Sequence, residues 1–439
     1  MFIDDVVTKI WEPVSDVYQK EYNNALSMEP EKLFDLIIEE VKRVNTVVFQ
    51  SRELNMIALV TSGCPHNVRN GTFSGCSFCD YNSTETKGMA MINALKAMKP
   101  DLYAKVVRFS LEHARDKIHK PSAVELITAY DCLNPREIPE QVYEEVIDKG
   151  EMFNRKVRPF KSIFETRATS INYDKILSWK KNLGKKVMIE FGVEIGDEWM
   201  RNHWINKNLS AAQVEKAISV IHQAECESSA NLLIGVPGCT EEQSIALFKD
   251  SVIWLADLGV DHILCSPLGR KERTLQGYLH DHMRDNERLQ QVGLVCAGQT
   301  GMPWIFTVVN ALYAVGKERP DIIPKLSMSP ANVPPYLRAT HALYKGTDME
   351  QCVALAETTL KEFYNVNQSF EKIKKLHDEL VKNPAYDQYE QMLQKQKKAG
   401  DLTDTLVLLA EELSKTFWPM DWESRVRSFR ETELVYLGA

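Results

Sequence analysis

Three cysteines lie close together in one glycine-rich segment, TSGCPHNVRNGTFSGCSFCDYNS, at residues 61–83. Eleven residues separate Cys64 from Cys76, and two separate Cys76 from Cys79. The odd total of nine cysteines in 439 residues indicates a reducing compartment and a local metal site rather than a disulfide framework. Three thiolates would leave one iron of a four-iron, four-sulfur cluster without a protein ligand. The alternatives are a zinc ion, with His66 or a distant residue as fourth ligand, and three unconnected buried cysteines.

The composition indicates a soluble globular protein of two or three domains. The chain is 44% hydrophobic and 26% charged, without an apolar run of the roughly 18 residues that span a membrane. Its N-terminus lacks the basic start and apolar stretch of a signal peptide, so we expect a cytoplasmic protein with no membrane partner. The net charge of −8 disfavours tRNA or another nucleic acid as partner, because phosphate backbones are bound by concentrated Lys and Arg.

Short apolar runs alternate with helix-like segments in the middle of the chain, which is the pattern of βα units around a parallel sheet. We predict six strands, at 56–61, 123–128, 162–165, 187–193, 230–236 and 262–267. Ser210 and Thr240 have the chemistry of helix starts. The fold class is therefore α/β, a partial, TIM-like (βα)6 barrel at 56–270.

Both ends of the chain have the apolar period of amphipathic helices. Near the N-terminus, apolar residues spaced by three and four predict helix through about residue 50. Beyond residue 270 the alternation stops and helical stripes continue to the end of the chain. We predict an N-terminal helical cap at 1–55 and a C-terminal helical domain at 271–439.

The cysteine segment resembles the cluster loop of the radical S-adenosylmethionine (SAM) superfamily, since it follows the first strand and carries Phe78 just before its last cysteine. The resemblance implies a [4Fe-4S] cluster on Cys64, Cys76 and Cys79, whose unique iron chelates the amino and carboxylate groups of SAM. An electron from a donor such as flavodoxin or ferredoxin then releases methionine and a 5′-deoxyadenosyl radical. The commonest family spacing has three residues between the first two cysteines. The longer gap is similar to that of the elongator catalytic subunit and the archaeosine-forming enzyme of tRNA modification.

Motifs after the second and third strands resemble those of the archaeosine-forming branch. TAYDCLNPREIP, which begins at Thr128, stands where the wider superfamily has its methionine-binding motif. The resemblance implies that Thr128, Tyr130 and Asp131 are candidates for binding the amino group of SAM, and a plain strand-ending turn is the alternative. FETRATS implies that Arg167 pairs with a carboxylate and that Glu165 accepts from a ribose or an ammonium. An ordinary surface ion pair is the alternative here.

Motifs after the fourth and fifth strands continue this resemblance. Glu194 stands at the end of the fourth strand and is implied to point into the barrel. Gly235, Val236 and Pro237 look like the turn that lines the adenine of SAM, because glycine permits close backbone approach to a planar base.

Candidate catalytic residues lie in the same loops. They are His66, in the gap between the first two cysteines, and Asp131 and Cys132, after the second strand. Cys132 would donate a hydrogen atom to a product radical, and burial as a small hydrophobic residue is the alternative.

Three functions are consistent with these motifs. The first is a radical SAM enzyme that abstracts hydrogen from a small-molecule biosynthetic substrate, which the acidic charge favours. The second is a tRNA-modifying enzyme similar to the archaeosine-forming relative, which breaks a carbon–nitrogen bond on a modified deazaguanine. The third is a non-catalytic iron–sulfur or metal sensor, which would bind a cluster without cleaving SAM.

Overall fold

The computed structural model describes residues 1–69, 72–80, 86–118, 122–148, 159–181, 186–295 and 300–437. Its strands form an eight-stranded sheet and a two-stranded hairpin. The strands are β1 (Val47–Gln50), β2 (Leu54–Ala58), β3 (Val68–Arg69), β4 (Thr72–Phe73), β5 (Val124–Thr128), β6 (Lys161–Thr166), β7 (Lys186–Glu194), β8 (Glu227–Ile234), β9 (His262–Pro267) and β10 (Leu326–Met328).

The main sheet is built from parallel strands in sequence order, β2-β5-β6-β7-β8-β9-β10, with β1 antiparallel to β2 at one edge. Alternate residues of the parallel strands line one central cavity, so the sheet curls around it. All carboxyl ends of these strands lie at the same end of the cavity, where the intervening loops can meet. The predicted partial, TIM-like barrel is confirmed.

The predicted number of six strands is too small. All six are present, with ends within three residues of the predicted ones, and β1 and β10 extend the sheet at its two edges. β1 falls in the segment predicted as helix, and β10 falls in the region predicted to be helical throughout. These edge strands span four and three residues, which is too short for an apolar alternation to be recognised.

Most of the other described segments are α-helices. They are α1 (Phe2–Leu26), α2 (Pro30–Arg43), α3 (Thr86–Met98), α4 (Pro100–Lys117), α5 (Glu140–Val142), α6 (Tyr173–Lys180), α7 (Glu198–His203), α8 (Ala211–Gln223), α9 (Glu241–Asp257), α10 (Leu275–His282), α11 (Glu287–Gln291), α12 (Ile305–Glu318), α13 (Val333–Tyr344), α14 (Asp348–Glu362), α15 (Phe370–Leu380), α16 (Ala385–Gln396), α17 (Leu402–Phe417) and α18 (Trp422–Thr432). A π-helical turn spans Tyr143–Asp148, and short 3₁₀ turns span Ala168–Ser170, Ile323–Lys325, Lys397–Ala399 and Leu434–Tyr436.

Helices α8 and α9 begin where the sequence predicts. Ser210 Oγ accepts from the Gln213 backbone N–H at 3.2 Å, and the Gln213 side chain accepts from the Ser210 N–H at 2.9 Å. Thr240 and Gln243 make the same reciprocal pair at 3.2 and 3.0 Å. These capping boxes satisfy N–H groups that a helix leaves free at its start.

Two hydrophobic cores support the barrel. The larger core packs helices against the outer face of the sheet. The smaller core joins the two ends of the chain, because Trp11 of α1 and Phe429 of α18 belong to it together with Phe73 of the hairpin. Trp11 stacks on Phe73 with ring centroids 5.4 Å apart, so α1 supports the hairpin directly. Among the helices of the described residues, none has the length and apolar character needed to cross a bilayer.

Candidate active site

The inside of the barrel holds a cavity of about 640 Å³ that reaches the carboxyl ends of the parallel strands. This volume lies within the range of about 300–1,000 Å³ that is typical of small-molecule sites. The cavity brings together the three cysteines and six other residues that the sequence identifies. These residues are Cys64, Cys76, Cys79, Phe78, Thr128, Tyr130, Glu165, Arg167 and Glu194.

The cavity has an apolar floor and a polar layer above it. Leu126, Ile163 and Met188, from β5, β6 and β7, form the floor. Because side chains alternate along a strand, the next inward-facing residues lie two positions further on, toward the cysteines. These residues are polar on β5 to β8, and they are Thr128, Glu165, Glu190 and Asn231.

The cysteine segment is held at the cavity by backbone hydrogen bonds. Asn67 N–H donates to Cys64 O at 3.0 Å, and Cys79 N–H donates to Cys76 O at 3.1 Å, so the chain turns at both ends of the segment. The hairpin β3–β4 lies within the long gap between the first two cysteines. Ser77 donates through its N–H and its hydroxyl to two carbonyls of the segment between α7 and α8, at 2.9 and 2.8 Å. The loop is therefore fixed to the barrel on the side of β7.

Two buried cations lie beside the cysteines. The Arg167 guanidinium hydrogen-bonds to Cys76 and donates to the backbone carbonyl of Lys207. The Lys207 Nζ lies 5.8 Å from the centre of the Phe78 ring. Burial raises the pKa of the Cys64 thiol to about 12, although the nearby Arg167 opposes this shift. Metal binding at this loop must therefore release a proton from Cys64, and the two cations stabilise the thiolate charge that results.

Within the described ranges, no three His, Cys, Asp or Glu side chains converge as ligands of one metal ion. His66, the suggested fourth zinc ligand, has its Nε2 2.8 Å from the Asn206 carbonyl oxygen. His66 is therefore held by the segment between α7 and α8.

Glu194 forms a buried ion pair with Lys207. The Lys207 Nζ lies 2.7 Å from Glu194 Oε1, and each side chain is 8% exposed. A bulge interrupts the pairing of β7 between Gly192 and Glu194, where Glu194 adopts a φ of 70°. A Cβ at Gly192 would lie 2.3 Å from Glu194 Oε1 and 2.6 Å from Lys207 Nζ. A side chain at position 192 would therefore displace the Glu194 and Lys207 end groups.

Two carboxyl groups, Glu165 and Glu190, stand side by side on β6 and β7. Burial, followed by the charges of Glu165 and Glu194, raises the pKa of Glu190 to about 8. Glu190 is therefore mainly neutral at pH 7, and its Oε1 accepts from Asn231 Nδ2 at 3.1 Å. Burial also raises the pKa of Glu165, which accepts from the Thr128 hydroxyl.

Glu190, Lys207 and Asn231 complete the site although the sequence motifs did not identify them as binding groups. Glu190 is detectable in principle, since it lies two residues before Gly192 on the same strand and therefore on the same face. Lys207 pairs with Glu194 only because of the bulge, which no apolar pattern reveals.

Asp131 and Cys132 do not line the cavity. The Asp131 carboxylate is fully buried and ties the end of β5 to the end of β6. It accepts hydrogen bonds from the Asn134 side chain at 2.8 Å, the Thr166 hydroxyl at 2.7 Å, the Arg167 N–H at 3.0 Å and the Ser170 hydroxyl at 2.7 Å. Cys132 Sγ accepts from Ala129 N–H at 3.3 Å, and burial raises the pKa of its thiol. In this arrangement both residues shape the loop that carries Thr128 and Tyr130.

His66 and the turn at Gly235, Val236 and Pro237 also lie outside the cavity lining. Gly235 has a φ of 105°, and a Cβ there would lie 2.5 Å from Pro303 Cγ. The turn therefore packs against the C-terminal region, where only glycine permits the contact.

We expect the protein to lose stability as pH rises from 5 to 9, and Glu190→Gln to lose less over this range. The pKa of Glu190 is raised from the ordinary 4.5 to about 8. Its contribution to stability is therefore complete below the ordinary pKa and is lost as pH rises through the folded-state pKa. Urea unfolding midpoints at pH 5, 7 and 9 check this, with Glu371→Gln on the exposed face of α15 as control. If the unfolding midpoints of wild type and Glu190→Gln depend on pH equally, the pKa of Glu190 is not raised in the folded protein.

Comparisons with known proteins show partial similarities. No family model matches the chain. It is 23% identical over 271 residues to an uncharacterized protein, MJ0550, of Methanocaldococcus jannaschii, and the match covers 61% of this chain and 66% of that protein. The chain thus spans slightly less than two thirds of that relative.

Three solved structures are similar to this chain over different shares of its length. An Elp3 of Methanocaldococcus infernus is 16% identical with a TM-score of 0.35, covering 54% of this chain and 53% of that one. The radical SAM methyltransferase TsrM of Kitasatospora setae, solved with cobalamin and a [4Fe-4S] cluster, is 11% identical with a TM-score of 0.33, covering 56% and 43%. Methylornithine synthase, PylB, is 13% identical with a TM-score of 0.36, covering 84% and 99%. At TM-scores below 0.5 these similarities carry no argument, so we infer function from the side chains of the site.

Proposed function

We propose that this protein is a radical SAM enzyme that acts on a small molecule inside its barrel. The observation that carries the proposal is that three cysteines of one loop line the same cavity as Arg167 and Lys207, at the carboxyl ends of the parallel strands. Cys64, Cys76 and Cys79 would hold a [4Fe-4S] cluster and leave its fourth iron to SAM. The bound cluster and SAM supply a 5′-deoxyadenosyl radical when an electron arrives.

The donor set of the loop fits this cluster. Three sulfur ligands suit iron–sulfur clusters, and the buried Arg167 and Lys207 stabilise the negative charge of the thiolates. Asn67 Nδ2, which belongs to the same cavity lining, is buried without a hydrogen-bond partner in the described structure. A buried amide N–H without an acceptor is unfavourable, so this position calls for an acceptor.

Residues at the ends of β5 to β7 would bind SAM. Thr128 and Glu165 share a hydrogen bond above the apolar floor, and they offer a hydroxyl and a carboxylate to an ammonium or a ribose. Tyr130 lies in the lining above them. In the Glu194–Lys207 pair, the carboxylate balances the lysine charge beside the cysteines. The pair also keeps Lys207 Nζ near the Phe78 ring.

A small polar substrate fits the layer between the cysteines and the apolar floor. Glu190, neutral at pH 7, can donate a hydrogen bond, and Asn231 Oδ1 is a buried acceptor without a partner in the described structure. Together they would recognise a group that both donates and accepts, while Leu126, Ile163 and Met188 would contact an apolar part. The cavity volume of about 640 Å³ is that of a typical small-molecule site.

Anaerobic reconstitution of the full chain tests this proposal. We expect about four irons and four sulfides per chain, and release of 5′-deoxyadenosine from SAM under strong reductant. Small metabolites that accelerate this release are then screened beside tRNA. Acceleration by tRNA alone would favour the tRNA-modifying alternative, and a loaded cluster without SAM cleavage would favour the sensor.

A further inference from the structure

Asn67 is a buried polar residue in the long gap between the first two cysteines. Its side chain is 2% exposed, lines the same cavity as Cys64, Cys76 and Cys79, and has an Nδ2 atom without a partner in the described part of the chain. Native proteins rarely leave a buried donor unsatisfied, so an unpartnered amide in a residue that lines a cavity indicates a ligand acceptor.

The backbone fixes Asn67 between two of the cysteines. Its N–H closes the turn to Cys64 O at 3.0 Å, and its carbonyl accepts from Ser74 N–H at 2.9 Å. Its side chain lies against Gly75, whose φ is 121° and whose Cβ, if present, would be 2.4 Å from Asn67 Oδ1. Gly75 directly precedes Cys76. The Asn67 amide therefore lies against the backbone next to Cys76.

We propose that the Asn67 amide donates a hydrogen bond to a sulfur atom of the iron–sulfur cluster. The inference rests on the proposed function, because it requires the cluster on the three cysteines. Hydrogen bonds to cluster sulfurs stabilise the extra electron of the reduced state and thereby raise the reduction potential. Asn67 thus adjusts the reduction potential of the cluster.

Redox titration of the reconstituted full chain, monitored by the signal of the reduced cluster and carried out without SAM, tests the inference. We expect Asn67→Ala to retain wild-type iron and sulfide and to show about tenfold less reduced cluster at a fixed potential, a shift of about 59 mV toward negative values. Asn67→Asp, which has nearly the same shape but no N–H, should shift further in the same direction because it adds negative charge. Ser74→Ala is the matched control, since Ser74 lies in the same loop and its hydroxyl bonds to Asp4, away from the cavity.

The outcomes separate this inference from the proposed function. Wild-type protein that binds no cluster would contradict the proposed function itself. Asn67→Ala and Asn67→Asp proteins that carry full clusters at the wild-type potential would overturn the role of Asn67 alone. A shift that is seen only when SAM is added would also overturn it, because the acceptor would then be SAM and not a cluster sulfur. Gly75→Ala, which displaces the amide without removing it, should reproduce the direction of the Asn67→Ala shift.

Discussion

Cys76→Ala is expected to abolish both cluster assembly and cleavage of SAM. Cys76 is 6% exposed, hydrogen-bonds with the Arg167 guanidinium and lies three residues before Cys79 in a turn fixed to the barrel. Loss of its sulfur leaves two thiolates for a cluster that needs three from the protein, while Arg167 keeps its buried charge without the partner thiolate. Iron and sulfide should fall far below four per chain, and release of 5′-deoxyadenosine should fall to the level of protein-free controls.

Cys226→Ala is the matched control for this prediction. Cys226 is also 6% exposed, but it lies before β8 with its Sγ 3.6 Å from Ala224 O and does not line the cavity. Cys226→Ala should assemble the cluster and cleave SAM as the wild type does, with only a small loss of stability. Circular dichroism and unfolding midpoints establish that both variants fold. A Cys76→Ala protein that retains wild-type cluster content would remove Cys76 from the ligand set.

The sequence predicts the barrel well because its central strands are buried on both faces. A parallel strand such as β7, with helices on its outer face and the barrel interior on the other, shows as a mainly apolar run bounded by turn residues. The helix starts at Ser210 and Thr240 can also be recognised from the sequence, since each capping box depends on two residues three positions apart. The edge strands β1 and β10 cannot be recognised from the sequence, because they form by pairing with β2 and β9 and not because of their own composition.

Part of the candidate site can be predicted from the sequence, because the predicted strands determine which residues lie at the carboxyl end of the sheet. Residues at or just after strand ends, such as Thr128 and Arg167, reach the cavity because the barrel brings all strand ends together. Asp131 follows a strand as well, yet its carboxylate turns away to bind the neighbouring loop, which depends on side-chain contacts absent from any local pattern. Lys207 lies outside the motifs that the sequence identifies, and it pairs with Glu194 where that residue adopts a φ of 70°.

Lys207→Met is expected to lower the free energy of unfolding by about 3–5 kcal/mol, because it leaves the Glu194 carboxylate buried without its cation. The two groups are 2.7 Å apart and each side chain is only 8% exposed, so Glu194 loses its nearest cation at a site where little solvent reaches it. The double variant Glu194→Gln, Lys207→Met removes both charges and should recover most of this loss, since two neutral side chains of similar size fill the same space. Urea unfolding of wild type, both single variants and the double variant measures the coupling.

A surface pair provides the comparison that identifies burial as the cause. Lys374 and Asp378 are 2.6 Å apart on α15, but their side chains are 47% and 43% exposed. Water solvates either charge when the other is removed, so Lys374→Met should leave the unfolding midpoint nearly unchanged. If Lys207→Met is as mild as Lys374→Met, or if the double variant is as unstable as Lys207→Met alone, the pair does not stabilise the barrel. Otherwise the bulge at Glu194 places a buried cation beside the cysteines, and the barrel needs that cation to balance the buried charge of Glu194.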